Sequence, residues 1–174
     1  MFTPCSTHIP FRKVPAHVVF VRGGHRLRDP RTTKIVKRRP GLPQVTTTRR
    51  TKLYLQAGDQ IRVARPNVFT LTLDGNRYRV PHGIMWLRCR PERIGTATAN
   101  PTTTLLPDLQ QGSIGVKAGP NTRRSAVLTP EMLAFPTQPG THFNVTRNPQ
   151  TRTTDAKTYD NPIITARASD EQLR

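Results

Sequence analysis

Aromatic side chains are scarce in this chain: 6% of 174 residues, with a single tryptophan, Trp86. Apolar residues, glycine not counted, make up only 34%, below the usual share of an ordinary globular domain. Burial of so little surface does not offset the entropy of ordering every residue, so one compact domain over the whole length is not expected. Cysteine is nearly absent as well. Cys5 and Cys89 form no Cys-x-x-Cys pair, and no Cys/His cluster has zinc-ligand spacing, so each is read as a structural thiol and no metal is expected. No stretch approaches the ~18 apolar residues of a membrane span. His17-Val18-Val19-Phe20-Val21 is too short for a signal-peptide core, and no membrane partner is expected. Acids are also few, 10 against 28 lysines and arginines, which leaves a net charge of +18. No acid precedes Asp29, as in organellar targeting sequences, but Pro4, Pro10 and Pro15 break the amphipathic helix that a cleavable presequence forms.

The positive charge is concentrated at the front. Residues 1–52 hold 13 basic side chains and one acid, net +12, while residues 53–95 carry +4 and residues 96–174 carry +2. A basic block beside a small fold is the electrostatic footprint of a nucleic-acid binder. Residues 1–16 read as irregular, with Val18 to Val21 as a short strand ending at Gly23-Gly24. Pro30, Pro40 and Pro43 exclude a continuous helix further on. The first 52 residues are therefore expected to be an extended RNA-binding arm, with phosphate contacts from Arg22, Arg26, Arg28, Arg31, Lys34, Lys37, Arg38, Arg39, Arg49, Arg50 and Lys52. The planar fork of arginine matches phosphate oxygens.

Residues 53–95 read as the one self-contained fold. Phe69, Leu71 and Leu73 alternate with Thr70 and Thr72, and Tyr78 and Val80 alternate with Arg77 and Arg79. This period of two puts one side of each strand in a core, and Asp74-Gly75 between the runs is a hairpin signal. Met85, Leu87 and Cys89 alternate with Trp86, Arg88 and Arg90, so Trp86 is either core or a platform for a base or a neighbouring protein. Four to five short strands fit a small β-barrel or rolled sheet. Its outward arginines, Arg62, Arg65, Arg77, Arg79, Arg88 and Arg90, extend the RNA-binding set.

Residues 96–174 show no sustained periodicity and are expected to be a mostly irregular low-complexity tail against neighbouring proteins or RNA. Thr129-Pro130-Glu131-Met132 has the form of a helix start, which Pro136 limits to one short helix near 130–135. Asn144-Val145-Thr146 matches a glycosylation acceptor and is read as coincidental without a secretory signal. The five histidines stand in no acid–base or metal constellation. Gly112-Ser113-Ile114-Gly115 lacks the Gly-Lys-Ser/Thr ending of a phosphate loop. No enzyme activity, cofactor or small-molecule substrate is expected.

Several features in order resemble the bacterial-type ribosomal large-subunit protein twenty-seven family. They are Gly23-Gly24, Arg28-Asp29, Lys37-Arg38-Arg39-Pro40-Gly41, Ala57-Gly58 before the strand from Ile61 to Arg65, and Phe69 to Gly75. The likeness covers residues 23–90, about half the chain. Pro66-Asn67 stands where that family has a glycine-rich loop. The resemblance implies a small β-barrel with an arm that penetrates RNA, and a long added tail suits organellar ribosomes. The expectation is thus a mainly β structural constituent of a ribosome, mitochondrial and of the large subunit, with rRNA and ribosomal proteins as partners. The alternatives are a viral coat or genome-packaging protein and an accessory subunit of an organellar membrane complex.

Overall fold

The computed structural model describes the chain except for residues 1–4, 11–13, 16, 28–34, 40–41, 47–51, 67, 93–101, 121, 123–124 and 168–174. The described residues are mainly β and contain no α-helix. In chain order the strands are β1 (Ser6–Pro10), β2 (Val18–Arg22), β3 (His25–Arg26), β4 (Ile35–Arg39), β5 (Leu42–Thr46), β6 (Lys52–Gln56), β7 (Gln60–Val63) and β8 (Phe69–Leu73). They continue as β9 (Asn76–Glu92), β10 (Thr102–Lys117), β11 (Val127–Leu128), β12 (Met132–Pro136), β13 (His142–Asn148), β14 (Thr153–Thr158) and β15 (Ile163–Arg167). Eleven of them form one sheet; β1 pairs with β6, and β4 with β5, as separate ribbons.

The long antiparallel pair β9–β10 organises the sheet, and it bends where Gly83 faces Gly112. A Cβ on Gly112 would lie 2.3 Å from the His82 carbonyl oxygen and 2.6 Å from the Gly83 Cα, at φ +97°. Only glycine permits that approach. Neighbours change on both sides of the bend. Before it β9 pairs with β8 and after it with β7; β10 pairs with β11 at Asp108 and with β13 from Gly112 on. The buried positions change parity too, from Tyr78 and Val80 to Met85 and Leu87. Register shifts in β10 accompany the change, as expected of bulges that re-aim a strand. The two halves fold onto each other: Phe20 of β2 meets Phe69 of β8 edge-on at 5.9 Å, and the Tyr78 hydroxyl donates to the Ala126 carbonyl at 3.3 Å. The result is a rolled sheet that does not close into a barrel.

The β8–β9 hairpin forms as its sequence dictates. Leu73 pairs with Asn76 across Asp74 (φ 50°) and Gly75 (φ 80°), a two-residue turn with both central φ positive. Asn76 is buried; its Oδ1 accepts from the Gly119 amide at 2.7 Å and from the Ser125 hydroxyl, fastening the turn to the segment after β10.

Four expectations are corrected. The unit at 53–95 is not self-contained, because its core includes Leu105, Leu109, Ile114, Val116, Phe143 and Val145 from beyond it. The first 52 residues are not solely an arm: Ile9, Val14, Val18 and Phe20 are buried in the same core, and Ser6–Pro10 is a strand. The stretch 102–167 is not an irregular tail but supplies β10 to β15. The expected helix near 130–135 is strand β12. Thr129 Oγ1 does accept the Glu131 and Met132 amides, at 3.3 and 3.1 Å, as a helix cap would. The Thr129 amide then donates to the Met132 carbonyl at 2.8 Å, closing a β turn between β11 and β12 instead.

Candidate nucleic-acid interface

The outer face of β8, β9, β10, β13 and β14 is a grid fixed by strand register. Alternation sends Tyr78, Ile114, Val116, Phe143 and Val145 inward and their neighbours outward. One row runs Thr72, Arg77, Lys117, His142, Tyr159; Arg77 pairs with Thr72 and Lys117, Lys117 with His142, and the Tyr159 amide donates to the His142 carbonyl at 3.0 Å. The next runs Thr70, Arg79, Gly115, Asn144, Lys157. Ser113, Thr146 and Asp155 follow, with the two hydroxyls 3.3 Å apart. With strands about 4.8 Å apart, β9 to β14 spans about 14 Å.

Arg77, Arg79, Lys117 and Lys157 are exposed on this grid, and among the described residues none has a carboxylate partner. Gly115 carries no side chain in the second row, and Asn144 Oδ1 leans over it, 2.8 Å from where a Cβ would sit. Around it is a depression of about 340 Å³ bordered by Arg77, Arg79, Lys117, Asn144 and Tyr159. Tyr159 is 65% exposed, and its hydroxyl accepts from Asn144 Nδ2 at 2.7 Å. Among the described residues, Asp155 lies on the face in its third row and Asp160 borders it. Asp160 accepts the amides of His142 (3.0 Å) and Asn161 (2.7 Å) and sits 3.3 Å from His142 Nδ1. Those amides, the His142 one first, hold its carboxyl below the usual carboxylate range.

The expected contact residues divide into three groups. Arg77 and Arg79 lie on this face, and Arg26 and Arg65 are exposed elsewhere. Arg28, Arg31, Lys34, Arg49 and Arg50 lie outside the described residues. Lys37, Arg38 and Arg39 are placed on β4, Lys52 on β6 and Arg90 on β9. The third group is engaged within the fold. Arg22 is corrected from a phosphate contact to an internal partner: its Nε and Nη2 bind the wholly buried Asp59 carboxylate at 2.7 and 2.8 Å, and its Nη2 also donates to the Tyr54 carbonyl. That bond to Asp59 raises the Arg22 pKa. Arg88 Nε binds Asp108 at 2.7 Å, and Arg62 Nε donates to Gln60 at 2.7 Å.

Lys117, His142, Asn144, Lys157 and Tyr159 are functional candidates that the sequence reading missed. For Lys117, His142 and Asn144 the signal was the alternation around Ile114/Val116 and Phe143/Val145; Lys157 and Tyr159 stand in a polar stretch with no such signal. A second recess, of about 630 Å³, lies at the bend beside His82, Gly83, Arg62 and Arg147. It is less suited to an anion, because Glu131 binds the Arg147 guanidinium at 2.7 and 2.9 Å and Gln60 holds Arg62.

Comparison with protein-family models, curated proteins and solved structures finds no match to this chain.

Proposed function

We propose that this chain is a non-enzymatic RNA-binding protein, and that the assembly it serves is a ribosome. The observation that carries the proposal is the grid of Arg77, Arg79, Lys117 and Lys157, exposed side by side without carboxylate partners among the described residues. Four such cations on a face about 14 Å wide from β9 to β14 favour a polyanion, whose binding releases condensed counterions. The front third adds sequence support, with net +12 over residues 1–52. The ribosomal protein twenty-seven likeness implies a closed barrel, whereas the sheet here is open. The proposal therefore rests on the cationic face and the basic segment, and the mitochondrial large-subunit placement is the finer part of it.

Truncating residues 1–52 is not a clean test, because it removes the core residues Ile9, Val18 and Phe20. The full chain, tagged and recovered from cells, should sediment with ribosomal particles and leave them after nuclease treatment. Sedimentation with a nuclease-resistant protein or membrane fraction would contradict the proposal.

A coat or genome-packaging protein remains a second reading, favoured by the strand count. A jelly roll needs about eight strands, and among the described residues the largest sheet has eleven. Assembly of the purified chain into closed shells around added RNA would favour it.

A further inference from the structure

We infer that the depression at Gly115 is a seat for one unpaired nucleobase, so that the face takes single-stranded RNA in preference to duplex. This rests on the proposed polyanion binding and adds a base-recognition element to it.

Three observations converge on the seat. The first is Tyr159, 65% exposed, its hydroxyl accepting from Asn144 Nδ2 at 2.7 Å and its backbone anchored by the amide bond to the His142 carbonyl at 3.0 Å. A ring fixed in place but open to solvent loses little freedom when a base stacks on it, and stacking tolerates any base because each has a π-face. The second is Gly115. Every other position of its row bears a side chain, Thr70, Arg79, Asn144 and Lys157; the Asn144 carboxamide leans over the bare Gly115 backbone, and both line a depression of about 340 Å³. That is within the range of small-molecule sites, roughly 300–1,000 Å³. The third is chemistry at the rim. Asn144 keeps donor and acceptor capacity beyond its bond to Tyr159, which suits a base edge. Arg77, Arg79 and Lys117 flank the seat, where phosphates on either side of a splayed base would lie. Duplex bases are stacked on one another and cannot enter, so the seat discriminates by strandedness.

The test uses the full chain and fluorescence anisotropy with three probes: a short labelled single-stranded RNA, the same sequence as a duplex, and inorganic polyphosphate. Tyr159→Ala should weaken single-strand binding about 5- to 150-fold and leave polyphosphate affinity unchanged. Tyr159→Phe, which keeps the ring, should retain most of the affinity. Equal single-strand affinity in the wild type and Tyr159→Ala would overturn the base seat. So would equal wild-type affinity for single strand and duplex. If Arg77→Ala/Arg79→Ala weakens all three probes in either case, phosphate binding stands without the seat. If that double variant weakens none, the polyanion reading falls and the seat falls with it.

Discussion

Glu131→Gln probes what holds the β11–β12 turn against β13 and β14. The Glu131 carboxylate accepts from Arg147 Nε and Nη2 at 2.9 and 2.7 Å and from the Thr154 hydroxyl at 2.6 Å. Arg147 also donates to the Gln110 carbonyl, so one guanidinium links three segments. The Arg147 side chain is 9% exposed and that of Glu131 28%. The Arg147 hydrogen bond first, and Thr154 with it, lower the Glu131 pKa from 4.5 to about 2. At about 1.4 kcal/mol per unit this corresponds to at most about 3–4 kcal/mol, and screening at a partly exposed carboxylate reduces it to about 1–2 kcal/mol. The folded value lies below the unfolded one. The stabilisation is therefore complete above the ordinary value of 4.5 and is lost as pH falls through about 2. Glutamine keeps the shape and an acceptor but removes the charge. In urea denaturation followed by circular dichroism, the variant should be less stable by that amount at neutral pH, and the two proteins should converge as pH approaches about 2. No difference at neutral pH, or a gap unchanged down to that acid limit, would refute the reasoning.

Three further outcomes follow from the packing. Gly112→Ala, at φ +97° with a Cβ 2.3 Å from the His82 carbonyl oxygen, should lose more than about 3 kcal/mol from strain and overpacking, read as a lowered urea midpoint or failure to fold. Arg22→Met leaves the buried Asp59 carboxylate without its guanidinium and should cost about 2–4 kcal/mol with RNA affinity unchanged in a filter-binding assay. That separates it from a phosphate-contact arginine. Tyr78→Phe removes the donor to the Ala126 carbonyl and should lower stability by about 1 kcal/mol in the same denaturation assay.

The sequence made some elements plain and hid others for physical reasons. The β8–β9 hairpin was legible because one face is buried and the other wet, and because Asp74-Gly75 meets the turn's demand for positive φ. Val18 to Val21 was legible as a strand, but its pairing with β7 was not, since partners separated by some forty residues leave no local mark. In β10, Leu105 to Leu109 are buried without alternation, Asp108 among them through its bond to Arg88, so the period-two signal vanishes. β14 has little buried surface and polar residues on both faces, which reads as loop. Thr129-Pro130-Glu131 misled because the same hydroxyl–amide bonds serve a helix cap and a β turn. Of the interface, Arg77 and Arg79 were visible beside the hairpin. Lys117, Asn144, Lys157 and Tyr159 join them only through strand pairings that the local sequence does not specify.

The central claim is that the outer face at Arg77 and Arg79 meets phosphates. Its most direct measurement is the dependence of single-stranded RNA affinity on salt for the full chain and for Arg77→Ala/Arg79→Ala. Each lost phosphate contact lowers the log–log slope by about 0.7, so the double variant should show a slope shallower by about 1.4 with weaker binding at every salt concentration. Identical slopes and affinities for the two proteins would contradict the account.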